Sequence, residues 1–436
     1  MRRLLLACVL GAAAAPAAAQ TADVSTFTAG AYVRAVLDAS PEVRQAAALF
    51  EASRQAWKSQ AAAAWMPTFG VAVGATPYGH DMTESGRFQH WSLSRPDVSL
   101  SESVKLNVFN GFADYFKVRQ TSLARDVAGA VLEAARQDRA FAAAQAFYDL
   151  GLKDRLLEVS SENLRTQKEG YDLTLDLYHN GMKSLADLLK SETDWHSSEL
   201  RLTQAEADRR RSLLQLNLLV GRPADASALL ETDLQPGATD LPRLAADLEF
   251  ALSRRPEMVS ARLAVETAET AVSESMRAGA PQFSVDASWN RTGNGGRVGN
   301  SEPNPNYQLA LSLALPAGFN GVSQVFNVSA ARARAGASRQ DLAAAARRVR
   351  SDVHTAHIAL AQSLDTYRIA TVKEDIAQRS LDLVNEQYKQ GSADVIRLAQ
   401  AQLDYLQSRT ERAQALFGAF VSRFQYRLAI GDPLWK

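Results

Sequence analysis

The 436 residues carry 48 Lys+Arg against 48 Asp+Glu, so there is no basic excess of the kind that nucleic acid recruits. With 24 Gly and 14 Pro, the composition also excludes a collagen-like or disordered class.

At the N-terminus, Arg2 and Arg3 precede an apolar run from Leu4 to Ala15 and an Ala17-Ala18-Ala19 stretch. This is the pattern of a secretory signal covering 1–19, cut after Ala19. Leu6-Ala7-Cys8 has the form of a lipobox end, but only seven residues precede Cys8 and the apolar run continues past it. Removal of the segment takes away the single cysteine, which suits an oxidising compartment. It also leaves 46 basic against 48 acidic residues, a charge of −2. No later run of about 18 apolar residues exists, so any membrane crossing has to use strands.

From about Thr28 to Ala64 the spacing is helical, and Trp65-Met66-Pro67 ends it. Strict alternation follows, with Phe69, Val71, Val73 and Ala75 apolar and Gly70, Ala72 and Gly74 small between them. A polar loop with Pro77, Gly79 and Gly86 leads to a second alternating run. There Val98, Leu100, Val104, Leu106 and Val108 face one way and Ser99, Ser101, Ser103, Lys105 and Asn107 the other. Glu102 interrupts the apolar side. Gly111 to about Tyr178 lacks proline and favours an unbroken helix of about 100 Å. Leu157, Leu164, Tyr171 and Tyr178, and then Leu188, Trp195 and Leu202, recur every seven residues, as in coiled-coil seams.

The second half repeats this order. Phe283, Val285, Ala287 and Trp289 alternate; a Gly/Asn-rich loop from Thr292 to Asn306 follows; then Tyr307, Leu309, Leu311, Leu313 and Leu315 alternate. A second proline-free stretch runs from Gly321 to about Tyr388. Sequence anchors recur in register: Pro41-Glu42 with Pro256-Glu257, Phe109-Asn110-Gly111 with Phe319-Asn320-Gly321, Tyr178-x-x-Gly181 with Tyr388-x-x-Gly391, and Gly221-x-Pro223 with Gly431-x-Pro433. The chain therefore reads as a first repeat over 20–233 and a second over 234–436, joined near Leu234 to Pro242. The four runs have the length of tilted transmembrane strands.

No catalytic constellation emerges, and no cofactor or metal is expected. The six histidines (His80, His90, His179, His196, His354 and His357) are scattered. His354-x-x-His357 lacks a third ligand nearby. Gly293-x-Gly295-Gly296 lacks the strand-to-helix context of a phosphate loop. Arg209-Arg210-Arg211 and Arg347-Arg348-x-Arg350 read as solvated helix faces. The chain is not expected to be an enzyme.

Taken in order, the duplicated helix, hairpin, long helix, Tyr-x-x-Gly turn, returning helix and terminal Gly-x-Pro resemble the TolC-like outer membrane efflux protein family over the whole mature chain. The resemblance implies a mainly α fold with a small β part. Long antiparallel helices would form an α-barrel, and four transmembrane strands per chain would contribute to a twelve-stranded trimeric β-barrel. Four strands alone leave open edges that lipid cannot satisfy, which independently calls for oligomerisation.

The implied protein is a homotrimeric outer-membrane channel extending into the periplasm. It would work with a periplasmic adaptor and an inner-membrane ABC or proton-driven pump, in type I protein secretion or small-molecule efflux, and would contact outer-membrane lipid but no nucleic acid. Phe109-Asn110-Gly111-Phe112 resembles the strand-to-helix junction of secretion members. The alternative, a non-transporting coiled-coil spacer or adhesin stalk, has no need of the alternating hairpins.

The resemblance also places a periplasmic tip and gate at Tyr178, Gly181, Asp187, Tyr388, Gly391, Arg397 and Gln400. Related channels hold this tip with an Asp, a Tyr and an Arg. Here Asp187 and Tyr388 match, but the Arg position is Ala393, and Arg397 and Gln400 stand where the family's well-studied member is acidic. Arg397 is expected to pair with Asp187 of a neighbouring hairpin as a substitute. Trp289 and Tyr307 are expected to be membrane-interface aromatics.

Overall fold

The computed structural model describes residues 25–76, 79–82, 88–92, 97–231, 241–294, 306–314 and 321–435. The expected signal segment 1–19 with Cys8, most of the expected inter-repeat join, Pro77, Gly86, Gly295-Gly296, Leu315 and Phe319-Asn320 lie outside them.

A short strand β1 (Ser25–Thr28) leads into α1 (Ala29–Ala39) and α2 (Pro41–Ala63). The helical run expected from Thr28 to Ala64 is thus two helices. Pro41 lacks an amide hydrogen and disfavours helical backbone at Ser40. Ser40 is extended (φ −61°, ψ 122°) and its hydroxyl caps α2 by accepting from Val43 N. The second repeat breaks at the same place, between α5 (Leu244–Arg254) and α6 (Pro256–Arg277). There Arg255 caps no amide with its side chain and pairs with Glu257 and Asp352.

Next come β2 (Thr68–Thr76), β3 (Gly79–Met82), β4 (Phe88–Ser92) and β5 (Asp97–Asn110). The segment expected to be a polar loop carries a hairpin of its own, β3 paired with β4. After β5 run α3 (Ala113–His179), α4 (Leu185–Val220) and β6 (Ala228–Glu231), which pairs in parallel with β1. The second repeat adds β7 (Gln282–Asn294), β8 (Asn306–Ala314), α7 (Gly321–Lys389) and α8 (Val395–Ile430). Among the described residues no helix is long and apolar enough to cross a membrane.

β2, β5, β7 and β8 form one antiparallel sheet in the order β2-β5-β7-β8. Residues directly opposite share a face. Phe69, Val104, Ala287 and Leu309 thus form one row; Val71, Glu102, Trp289 and Tyr307 form the next. Phe69 is 77% and Leu309 73% exposed. Each such side chain left in water forgoes about 1.5–3 kcal/mol of burial, so the face is built for an apolar surround. Gly70, Ser103, Ser288 and Gln308 line the opposite face, where Lys105 approaches Asp286 at 3.9 Å.

The alternation expected through Val108 fails at its end. The register shifts between Asn107 and Phe109, so Val108 is an inserted residue and Phe109 resumes the apolar row opposite Phe283. Beyond it Gly111 and Phe112 both take left-handed backbone, with φ 68° and 67°. For Phe112 this costs about 1–2 kcal/mol.

The described residues within Met1–Ala39, Ala143–Gly237 and Tyr367–Gly418 make one compact unit, and those within Ser40–Ala142, Ala238–Thr366 and Ala419–Lys436 a second. Each repeat supplies residues to both. In the first unit Tyr32 is fully buried and its hydroxyl donates to Leu216 O at 2.9 Å. In the second, Tyr426 donates to Asp247 Oδ2 at 2.6 Å. Under the repeat offsets Leu216 corresponds to Tyr426 and Tyr32 to Asp247, so the tie recurs with the phenol on the opposite partner.

Candidate functional site

Within the first unit the helices connect in a definite order. α3 meets α4 through Tyr171 stacked on Trp195 at 5.3 Å, one residue from each heptad run, and through Arg209 Nε to Asp154 at 2.5 Å. Arg209 is thus part of a helix contact, while Arg210 and Arg211 are solvated. α7 meets α8 through Lys373 and Glu411 at 2.6 Å and Glu374 and Arg412 at 2.7 Å. α3 meets α8 where a Cβ on Gly151 would lie 2.7 Å from the Phe417 ring. The order is α4, α3, α8, α7.

Arg409 of α8 ties this arrangement together. Its side chain is 11% exposed; it pairs with Glu162 of α3 and lies 3.8 Å from Glu374 of α7. Burial pulls its pKa down, but the hydrogen bond to Glu162 and the carboxylates outweigh that and raise it. Sequence reading missed this cluster because charges on a helix normally mark its wet side. The available signal was position: Tyr405, Arg409, Arg412 and Leu416 follow the 4-3-4 spacing of a buried stripe.

The Tyr-x-x-Gly turns close both hairpins alike. Gly181 has φ 73°, with Gly181 N bonded to Tyr178 O at 2.9 Å and Met182 N to Leu177 O at 2.8 Å. Gly391 has φ 75°, with Gly391 N bonded to Tyr388 O and Ser392 N to Gln387 O. Both are the paired 6→1 and 5→2 bonds of a glycine helix stop. The two tyrosines nevertheless differ. Tyr178 is half-buried and tilted against His179, whereas Tyr388 is fully buried among Val384, Ala393 and Leu398. The Tyr388 hydroxyl lies 3.0 Å from Thr174 Oγ1, and the Lys183 ammonium sits 4.3 Å over its ring. Burial raises the phenol's pKa and the Asp187 charge adds to this, against the Thr174 bond, which lowers it.

Asp187 and Ser184 form a capping box at the start of α4. Ser184 N and Oγ donate to Asp187 Oδ2 at 3.1 and 2.9 Å, and Asp187 N donates to Ser184 Oγ at 3.2 Å. Arg397 N bonds Asp394 Oδ1 at 2.8 Å, its side chain lying exposed, and Gln400 donates to Asp404 at 2.8 Å. Tyr388 and Asp187 therefore share one cluster with Thr174 and Lys183, two residues the sequence did not single out. Ala393 joins the apolar core beneath.

On the sheet, Trp289 and Tyr307 stack at 5.4 Å, and the Arg291 guanidinium lies 3.9 Å over the Trp289 ring. Glu102 sits opposite Trp289 in the same row. His357 packs edge-on against Tyr426 at 5.9 Å.

The pattern defining the outer membrane efflux protein family matches residues 32–222 and 248–417. Nodulation protein T of Rhizobium leguminosarum bv. trifolii is 24% identical over 280 residues, 62% of this chain; the match spans 58% of that protein's length. CusC has the same fold with TM-score 0.80 at 13% identity, covering 93% of this chain and 92% of that one. VceC of Vibrio cholerae gives 0.76 at 18% over 93% and 96%. The MtrE outer membrane channel of Neisseria gonorrhoeae gives 0.75 at 17% over 93% and 89%. With the family pattern lying across both repeats and the strand-and-long-helix architecture shared with these channels, the chain belongs to the outer membrane efflux protein family.

Proposed function

We propose that three copies of this chain close head-to-tail into one duct. In this reading the duct passes small molecules outward from an inner-membrane pump through a periplasmic adaptor. The observation that carries it is the pair of unsatisfied edges in each unit. In the sheet, β2 and β8 each have one strand neighbour. In the helical unit, α4 presents Leu185, Leu189 and Leu200, and α7 presents Ile369, Val372, Ile376 and Leu383, all exposed. The α7 residues recur at three, four and seven, the spacing of a helix seam. Because the two edges differ, α7 of one copy suits α4 of the next, an arrangement that closes only as a ring.

The duplication into 20–233 and 234–436 supports this reading. Its recurring glycine stops, with the phenol ties, give three copies six similar hairpins. Trp289 and Tyr307 are proposed to sit at the outer membrane interface, where the stacked pair offers the 70% exposed Tyr307 ring to lipid polar groups.

The turns at Tyr178–Gly181 and Tyr388–Gly391 are proposed as the periplasmic tip and gate, with Arg397 reaching Asp187 of the adjacent copy. Arg397→Ala tests that pair more cleanly than Asp187→Ala, which would also break the α4 capping box. The expected result is a raised closed-state conductance in planar bilayers. Unchanged conductance and ion preference would sink the latch.

For the partner, Met182 is the better site for a photo-crosslinker, being 66% exposed while Ser184 is engaged in its cap. Capture of the adaptor of a proton-driven efflux pump is expected in living cells. Capture of an ABC secretion adaptor would shift the cargo to unfolded protein, and capture of neither at an accessible Met182 would reject the tip assignment.

A further inference from the structure

At the junction of β5 with α3, large aromatic surfaces stand in the open. Trp65 is 86% and Tyr115 63% exposed. A cavity of about 510 Å³ lies here, lined by Trp65, Leu106, Val108, Phe109, Phe112 and Tyr115. Phe112 and Tyr115 also wall a second, polar cavity of about 480 Å³, lined as well by Arg119, Glu266, Arg277 and Glu269, the last paired with Arg339. Arg119 is paired with Glu266. The Arg277 guanidinium instead lies over the rings of Phe112 and Phe116, at 5.8 and 5.5 Å. An apolar trough and a cation are thus separated by a single phenyl ring.

Phe112 occupies that dividing position at a conformational cost, since it is the one non-glycine residue with positive φ among the described residues. Half of its surface stays exposed, and its ring meets Phe109 edge-on at 5.1 Å. A strained backbone that presents a large exposed ring points to a ligand rather than to packing.

We propose that this two-part cleft holds one phospholipid of the membrane leaflet nearest the helices, with an acyl chain in the Trp65 trough and the phosphate at Arg277. The trough continues the apolar face of β5, which carries Leu106 in the row of Val285 and Leu311 and Phe109 in that of Phe283 and Leu313. β5 has strand neighbours on both sides, so a further copy added at β2 or β8 does not lie over it. The exposed apolar rows through Leu309, Leu311 and Leu313 run towards the trough, so the hydrocarbon that covers them supplies its occupant. The aromatic wall and cation suit an anionic diester on an apolar tail.

The test uses the full-length protein in bilayers of phospholipid brominated on the acyl chains. Trp65 emission is isolated as the difference between the parent and Trp65→Phe, and Trp289 emission likewise through Trp289→Phe. Half-quenching of Trp65 is expected at a brominated fraction about fivefold lower than for Trp289, the scale of one or two aromatic contacts. Phe112→Gly relieves the backbone strain, so the fold survives while the preference falls to that of Trp289. Arg277→Gln is expected to abolish discrimination between brominated phospholipid and brominated diacylglycerol. Trp65 quenched by aqueous iodide instead, by neither agent because protein covers it, or by bromine equally with Trp289 and unaffected by Phe112→Gly, overturns the proposal.

Discussion

Leu311→Arg is expected to destabilise the membrane-inserted sheet by about 2–4 kcal/mol per chain, whereas Ser312→Arg, one residue further on, costs close to nothing. Leu311 pairs with Val285 on the apolar face and is 68% exposed, so a guanidinium there has hydrocarbon for solvent. Ser312 pairs with Ser284 on the face bearing Gln308 and Lys105, where water solvates the charge. A penalty of that size in each copy removes most assembled protein, because natural domains have only about 5–15 kcal/mol to lose. Heat-resistant oligomer in outer-membrane fractions and urea midpoints in vesicles measure the contrast. Equal behaviour of the two variants would mean that the faces are assigned wrongly.

Tyr388→Ala is expected to loosen the turns by about 3–5 kcal/mol, while Tyr388→Phe costs only about 1 kcal/mol. The ring is fully buried, so alanine leaves a cavity among Val384, Ala393 and Leu398 and takes away the surface under Lys183. Phenylalanine keeps the ring and loses one hydroxyl contact, and Thr174 still donates to Gly170 O at 2.8 Å. Amide exchange at 177–182 and 387–393 reads this local opening. Alanine should speed it by a few hundred- to a few thousand-fold and phenylalanine by less than about tenfold.

The phenol's raised pKa adds a pH signature. Its contribution is complete below about pH 10, the ordinary tyrosine value, and is lost as pH rises through the higher folded-state value. Tyr388→Phe should flatten that decline. Equal exchange in the two variants would show that the ring is not what holds the turns.

What the sequence disclosed follows from how periodic each signal is. Strand faces repeat every two residues and long helices lack proline for nearly seventy, so both could be read from one chain. The break at Ser40-Pro41 was also visible in principle, but helical spacing on both sides masked a one-residue interruption. The β3–β4 hairpin and the parallel β1–β6 pair are only four or five residues long, too short for alternation to stand out. Val108 shows the limit of period counting, since one inserted residue reverses which side chains share a face.

At the turns, glycine conformation was legible because a left-handed helix stop demands it. The cluster around Tyr388 was not. Thr174 and Lys183 are four residues before and five after Tyr178 in the sequence, yet both act on a tyrosine of the other repeat. Arg409 was hidden for the opposite reason: its spacing said buried and its charge said exposed, and only its carboxylate neighbours on two other helices reconcile them.

The exchanged phenols set a limit on how the two halves can be recombined. A hybrid joining α1 of the first half to α8 of the second would bring Tyr32 and Tyr426 to the same spot, two rings where one fits. The reciprocal hybrid would set the Asp247 carboxylate against Leu216, with no hydroxyl to donate to it. A buried acceptor stripped of its donor costs about 1–3 kcal/mol or more when it is charged. Each tie lies within its own half, so a ring of identical halves would keep it, whereas the two halves have lost the ability to exchange these helices with one another.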